Sequence, residues 1–207
     1  MIKALIVDIG GVIIKYSENP SNTKLLEYLQ ITPEVYEEAF SKMRKKLSIG
    51  EITEDEGWKL FCTEIKKPVD LEFFKSEYRK QMKEFLQENN LINNELIELL
   101  KKFKTQGVRL AALPNTTIMN TDVYTDLGVY SFFNFVVTSF QEKMKKPNPL
   151  FFKKALDLLK VTPEETIFID DSPWHVDAAK KLGMKAILYE DNIRLINTLK
   201  SFGLSIH

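Results

Sequence analysis

Five short apolar runs are spread along the chain with helical patterns between them: Ala4 to Val7, Val108 to Leu113, Phe135 to Val137, Thr166 to Ile169 and Met184 to Tyr189. The first is apolar throughout, ends in Asp8 and is followed by Gly10-Gly11. That fits a strand buried on both faces and then a tight turn. Between and after the runs, Leu96, Leu99, Leu100 and Phe103 make one helical face closed by Gly107. Phe151, Ala155 and Leu158 make a second face, and Val176, Ala179 and Leu182 a third, closed by Gly183. Ile193, Ile196 and Leu199 make the last. Strands alternating with helices at this spacing predict parallel βαβ units with right-handed crossovers, hence an α/β fold with a Rossmann-like parallel sheet covered on both faces.

A different pattern interrupts this one between the first and second strands. Residues 16–89 read as almost wholly helical, about four helices without a strand. Tyr36, Phe40, Met43 and Leu47 recur at helical spacing, as do Leu71, Phe74, Tyr78, Met82 and Phe85. Thr53 with Glu56 has the form of a capping box opening a helix that carries Trp58, Phe61 and Ile65, and Gly50 and Pro68 mark breaks. The expected organisation is a core of residues 1–15 and 90–207 with an inserted α-helical cap of 16–89. The cap aromatics, Trp58, Phe61, Phe73 and Phe74 among them, are expected mostly in a core of their own, a few lining a pocket.

With 207 residues and 44% hydrophobic composition, the chain is long enough for a sizeable core. Its 29 basic and 29 acidic residues cancel, which argues against a nucleic-acid or anionic-membrane binder and leaves room only for a local basic pocket. No apolar run approaches the roughly 18 residues that span a bilayer, and a carboxylate cuts short the N-terminal stretch, so no signal peptide is expected. The single cysteine, Cys62, excludes an intramolecular disulfide and suits a reducing, cytoplasmic setting. Cys62 itself reads as a small buried hydrophobe. Nothing in the sequence specifies an oligomeric state.

Ligands of such folds gather at the carboxyl ends of the strands. Asp8 ends the first strand, Pro114-Asn115-Thr116 follow the second, Asp170-Asp171 end the fourth, and Lys146 lies in the loop before the helix of Phe151. Three carboxylates, a lysine and a polar turn are thereby expected at one edge. Several buried carboxylates are costly without a cation, and with no His or Cys ligand expected beside them a hard ion such as Mg²⁺ fits. Asp8 is the candidate nucleophile, Asp170 and Asp171 the metal anchors, and Lys146 the charge clamp for a phosphoryl group.

Four segments, in order, resemble the four motifs of the haloacid-dehalogenase-like (HAD-like) superfamily: Ile6-Val7-Asp8-Ile9-Gly10-Gly11-Val12, Leu113-Pro114-Asn115-Thr116, Lys146-Pro147-Asn148-Pro149 and Ile169-Asp170-Asp171-Ser172-Pro173. The helical insertion falls where that family often carries a cap. The resemblance implies a Mg²⁺-dependent phosphatase of a small phosphorylated substrate, with a phospho-aspartyl intermediate on Asp8. The metal would be held by Asp8, the Gly10 carbonyl, Asp170 and Asp171, and substrate contacts would come from Asn115, Thr116 and Lys146.

Two positions depart from the family pattern. Phosphatases of the family usually carry a second aspartate where Gly10 stands, and it serves as general acid and base, help worth ~10²- to 10⁴-fold in rate. Its loss implies slow turnover, another residue in the role, or a good leaving group such as a phosphate on an anomeric carbon. Sugar-phosphate phosphatases are among the members with glycine here. Pro114 replaces the usual motif hydroxyl and removes an N–H, for which Thr116 or Thr117 is the candidate substitute. His175 is expected to be a polar residue in the first turn of a helix capped by Ser172, the alternative being an acid/base group. His207, at the terminus, is expected to be disordered. The rival functions are a weak or inactive binding or regulatory protein on the same fold, and a metal-free haloacid dehalogenase. For the latter, the aromatic residue that dehalogenases of the family place at the Gly10 position is missing.

Overall fold

The computed structural model describes residues 1–15 and 23–204; residues 16–22 of the expected cap, and His207, lie outside the described residues. Five parallel strands form one sheet in the order β3-β2-β1-β4-β5, with β1 (Ala4–Val7) central, β2 (Arg109–Ala112) and β3 (Phe135–Val136) on one side, and β4 (Thr166–Asp170) and β5 (Lys185–Leu188) on the other. The strands at both edges and β2 are shorter than the apolar runs that predict them, because the flanking residues of those runs bury side chains beyond the ladder.

Side chains alternate across β1 as the pleat requires. Leu5 and Val7 face an apolar cluster with α5 (Asn94–Thr105) and α10 (Asn192–Ser201). Ala4 and Ile6 face the opposite cluster with α8 (Pro149–Leu159) and α9 (Pro173–Lys181). All four β1 side chains are fully buried, so each larger one contributes roughly 1.5–3 kcal/mol of burial.

Between β1 and α5 the described residues form four helices: α1 (Thr23–Leu29), α2 (Pro33–Leu47), α3 (Glu54–Ile65) and α4 (Leu71–Glu88). The capping box forms as expected: Thr53 Oγ1 accepts from Glu56 N–H, and Glu56 accepts from Thr53 N–H at 2.7 Å. These helices make a third cluster centred on Trp58, whose ring meets Phe61 and Phe74 edge-on at 5.6 and 5.3 Å. Gly57 lets α3 approach α2 closely, since a Cβ there would lie 3.1 Å from Leu47 and Met43 carbons. Trp58, Phe61 and Phe74 are buried, whereas Phe73 is exposed. Cys62 is half-buried rather than buried, and burial pushes its thiol pKa up, which makes it a poor nucleophile.

The last turns of α4 pass from this helical cluster to the sheet: Leu86 is part of the core beneath the sheet with Phe85 packed against it, and Met82 packs against both clusters. In return α6 (Ile118–Asp126), which follows β2, sends Met119 into the helical cluster. Sequence periodicity does not predict α6. Its apolar residues point both ways, Met119 to the cap and Val123 and Tyr124 to the core, so no single face stands out. The N-cap bond from Asn120 N–H to Thr117 Oγ1 starts it. The short α7 (Ser139–Glu142) likewise has too few residues for a periodic signal. Among the described residues, no helix is long and apolar enough to cross a membrane.

Candidate active site

The order of the strands reverses on either side of β1, so the crevice at the carboxyl ends of β1 and β4 is the topological switch point where this architecture binds ligands. Asp8 follows β1 there, its N–H donating to the Ile169 carbonyl at 2.9 Å. Asp170 ends β4 and is fully buried. Between them stands Lys146, whose Nζ lies 2.9 Å from Asp8 Oδ2 and 2.6 Å from Asp170 Oδ2. Asp8 Oδ1 accepts from Ile9 N–H at 2.7 Å. Asp170 Oδ1 accepts from Ser172 N–H and meets His175 Nδ1, both at 2.9 Å.

One ammonium serves two buried carboxylates, and its protection is shared unequally. Burial pushes the Asp8 carboxyl up to about 7, because Lys146 only partly compensates and the Asp170 charge adds to the rise. Burial also raises Asp170, but the His175 hydrogen bond and the Lys146 charge more than reverse that and leave it below the usual carboxylate range. Asp170 therefore carries the fixed charge, and Asp8 is the group short of positive partners.

Asn115, although exposed, holds Lys146 in place: its Oδ1 accepts from Lys146 N–H at 2.9 Å and its Nδ2 donates to the Lys146 carbonyl at 3.2 Å. Both ends of this carboxamide serve the lysine backbone, a positioning job the sequence does not reveal. Thr116 is buried and hangs from Ser139, whose Oγ accepts from Thr116 N–H at 2.9 Å and donates to the Ser48 carbonyl at 2.6 Å. A single hydroxyl thus ties the loop after β2 to the end of α2. Pro114 lacks an N–H to offer, and the Thr117 hydroxyl caps α6.

Asp171 and His175 flank Asp170 in different ways. The Asp171 carboxylate lies over Gly11, where a Cβ would come within 2.0 Å of its Oδ2. Burial and then the Asp170 charge raise its pKa. His175 instead turns inward. Asp8, Asp170 and His175 form the group of possible metal ligands, one ligand atom from each lying within 4.8 Å of the others. The imidazole stands beside the expected oxygen donors, and Ser172 sits at the N-cap of α9 without a side-chain cap bond. The signal was present in the spacing: a residue five beyond a strand-terminal Asp170 occupies the first turn of the following helix and can reach back.

A cleft of about 540 Å³ opens beside this group. Its floor is Ile9, Gly10 and the turn from Pro114 to Thr117, one wall is α6 through Asn120 and Tyr124, and the other is α2 through Ser41, Arg44, Lys45 and Ser48, with Lys145 at the rim.

The family model for haloacid dehalogenase-like hydrolases matches residues 2–183. Two curated relatives are bifunctional epoxide hydrolase 2 of Sus scrofa, 25% identical over 96% of this chain and 38% of that protein, and a phosphorylated carbohydrates phosphatase of Thermotoga maritima, 25% identical over 89% of this chain and 83% of that protein. Of the epoxide hydrolases it matches, the chain spans well under half the length. A HAD family enzyme of Bacteroides thetaiotaomicron has the same fold, with a TM-score of 0.75 at 23% identity over 94% of this chain and 98% of that one; it has also been solved in complex with magnesium and inorganic phosphate. This chain belongs to the haloacid dehalogenase-like hydrolases.

Proposed function

We propose that the chain is a phosphatase of a small phosphorylated metabolite, with Asp8 as nucleophile and Mg²⁺ as cofactor. The observation that carries the proposal is the placement of Lys146 between Asp8 and Asp170 at the switch point, with a cleft of metabolite size lined by their chain neighbours Ile9, Gly10 and Lys145. The donors suit a divalent cation: two carboxylates share one ammonium, and the resulting excess of buried negative charge is what a cation would relieve. Asp8, the Gly10 carbonyl, Asp170 and Asp171 would hold the metal. When bound, Mg²⁺ supplies positive charge to the phosphoryl oxygens.

The protein's own residues would do the rest. An Asp8 oxygen bonds to phosphorus as the ester oxygen departs with its electron pair. Water then attacks the acyl phosphate, inorganic phosphate leaves, and the Asp8 carboxylate is restored. Lys146 neutralises charge throughout, Asn115 keeps Lys146 in place, and Thr116 lines the path of the phosphoryl group. Gly10 offers no acid to the leaving oxygen, which favours substrates whose leaving group departs readily, a sugar phosphate at the anomeric carbon among them. In this reading 1–15 with 90–207 is the chemical core and 16–89 the cap that shapes substrate access.

The same Gly10 favours a second reading, a HAD-fold protein that binds phosphate without turning it over. A screen of aryl and sugar phosphates with and without Mg²⁺, beside Asp8→Asn, separates the two. Metal-dependent turnover lost in the variant supports the phosphatase; phosphate and Mg²⁺ binding without turnover supports the binding protein.

A further inference from the structure

The cleft beside Asp8 carries an electrostatic asymmetry that phosphoryl transfer alone does not use. Of its thirteen lining residues three are basic, Arg44, Lys45 and Lys145, and none is acidic. Several basic residues nearby that face elsewhere are neutralised. On α2, Lys42 pairs with Glu38 and Glu64, at 3.0 and 2.7 Å, and Lys46 pairs with Glu51 at 2.8 Å. In the core, Lys146 is committed to Asp8 and Asp170, and Lys154 pairs with Glu142 at 3.2 Å. Arg44, Lys45 and Lys145 have no carboxylate partner among the described residues. The polar groups between them, Ser41, Asn120 and the two threonines, can all donate hydrogen bonds.

We propose that Arg44, Lys45 and Lys145 form a subsite for a second anionic group, so that the substrate is a phosphate ester bearing a carboxylate or another phosphate at its far end. The inference rests on the phosphatase reading and narrows its substrate class. Unpaired cations on one wall and at the rim of a concave cleft focus potential into it, and Arg44 can engage a planar or tetrahedral oxyanion through two donors at once. Two of the three cations come from the cap and one from the core, so a doubly anionic ligand would bridge the two parts, whereas a singly anionic ester would leave the cap wall unused.

The test measures binding rather than turnover, by titration calorimetry in excess Mg²⁺ with non-hydrolysable probes. Propylphosphonate is the singly anionic-headed reference. 3-Phosphonopropionate adds a carboxylate and propane-1,3-bisphosphonate a second phosphonate, so the two arms tell which anion the subsite takes. At least one arm is expected to bind ~10-fold more tightly than the reference, about the effect of one well-placed charged contact. Arg44→Gln, Lys45→Gln and Lys145→Gln are each expected to reduce that preference ~2- to 5-fold, and the triple variant to abolish most of it. Lys42→Gln and Lys46→Gln, on the same helix outside the cleft, are expected to leave it unchanged. All five positions are on the surface or half-buried, and unchanged melting curves would show that the folds are intact. If propylphosphonate binds and neither acidic probe binds better, the subsite is refuted while the phosphatase reading stands. If none of the three binds, both fall. A preference that persists in the triple variant also refutes the assignment.

Discussion

Lys146 is the residue on which the site's electrostatics turn. Its ammonium is buried, as are the two carboxylates it bridges. Replacing it with Met leaves both acids without their cation, and breaking a buried ion pair typically costs about 3–5 kcal/mol. We expect Lys146→Met to lower the urea midpoint accordingly at pH 7 and to recover part of the loss on acidification. Asp8 behaves in the opposite sense. Its folded pKa, raised from 3.8 to about 7, means that the metal-free protein holds the proton more tightly than the unfolded chain. The stability linked to Asp8 is therefore full below pH 4 and lost as pH rises through 7. In EDTA, Asp8→Asn should melt at least ~2 °C above the wild type at pH 8, and the difference should vanish near pH 4. Equal melting temperatures at pH 8 would show that Asp8 is not strained.

At the scale of elements, the helical insertion is clamped to the core at two ends of one wall. Near α6, Arg79 of α4 binds Asp122 at 2.6 Å and Glu54 of α3 at 2.7 Å, and Tyr78 donates to Asn120 at 2.9 Å. Near α7, Gly50 brings its backbone so close to Phe140 that a Cβ would lie 2.2 Å from the Phe140 carbonyl oxygen, and its φ of +61° is one that side chains seldom adopt. Gly50→Ala should therefore destabilise by more than the roughly 1 kcal/mol of an ordinary left-handed substitution, read as a shift in denaturation midpoint. Arg79→Ala should speed hydrogen exchange in α3, α4 and α6 while leaving β1 and β4 protected. Uniform acceleration would mean that the clamp is not local.

For the whole molecule, α4 matters because it passes through both apolar bodies, Phe74 and Tyr78 in the cap cluster and Leu86 in the core. Shared helices of this kind couple unfolding. The two tryptophans make the test simple: Trp58 is buried in the cap cluster, whereas Trp174 is 79% exposed at the start of α9. In a Trp174→Phe variant, Trp58 fluorescence and far-UV dichroism should report the same transition in urea. An earlier fluorescence transition would make the cap an independently melting unit.

The sheet, the helical insertion and the four loops that meet at its edge were legible in the sequence, because period and turn chemistry are local properties carried by consecutive residues such as Ala4 to Val7, Thr53 with Glu56, and Gly107. So was the presence of Asp8, Lys146 and Asp170 at one edge, since strand ends in a parallel sheet converge there. Tertiary structure alone decided how they divide their charge. Only packing sets Lys146 between the two aspartates, turns Asp171 onto Gly11 and brings His175 to Asp170. It also decided α6, whose two faces serve different cores, and the cleft, whose cations lie about a hundred residues apart. Side-chain direction and long-range juxtaposition depend on which surfaces exclude water together, and no window of neighbouring residues contains that information.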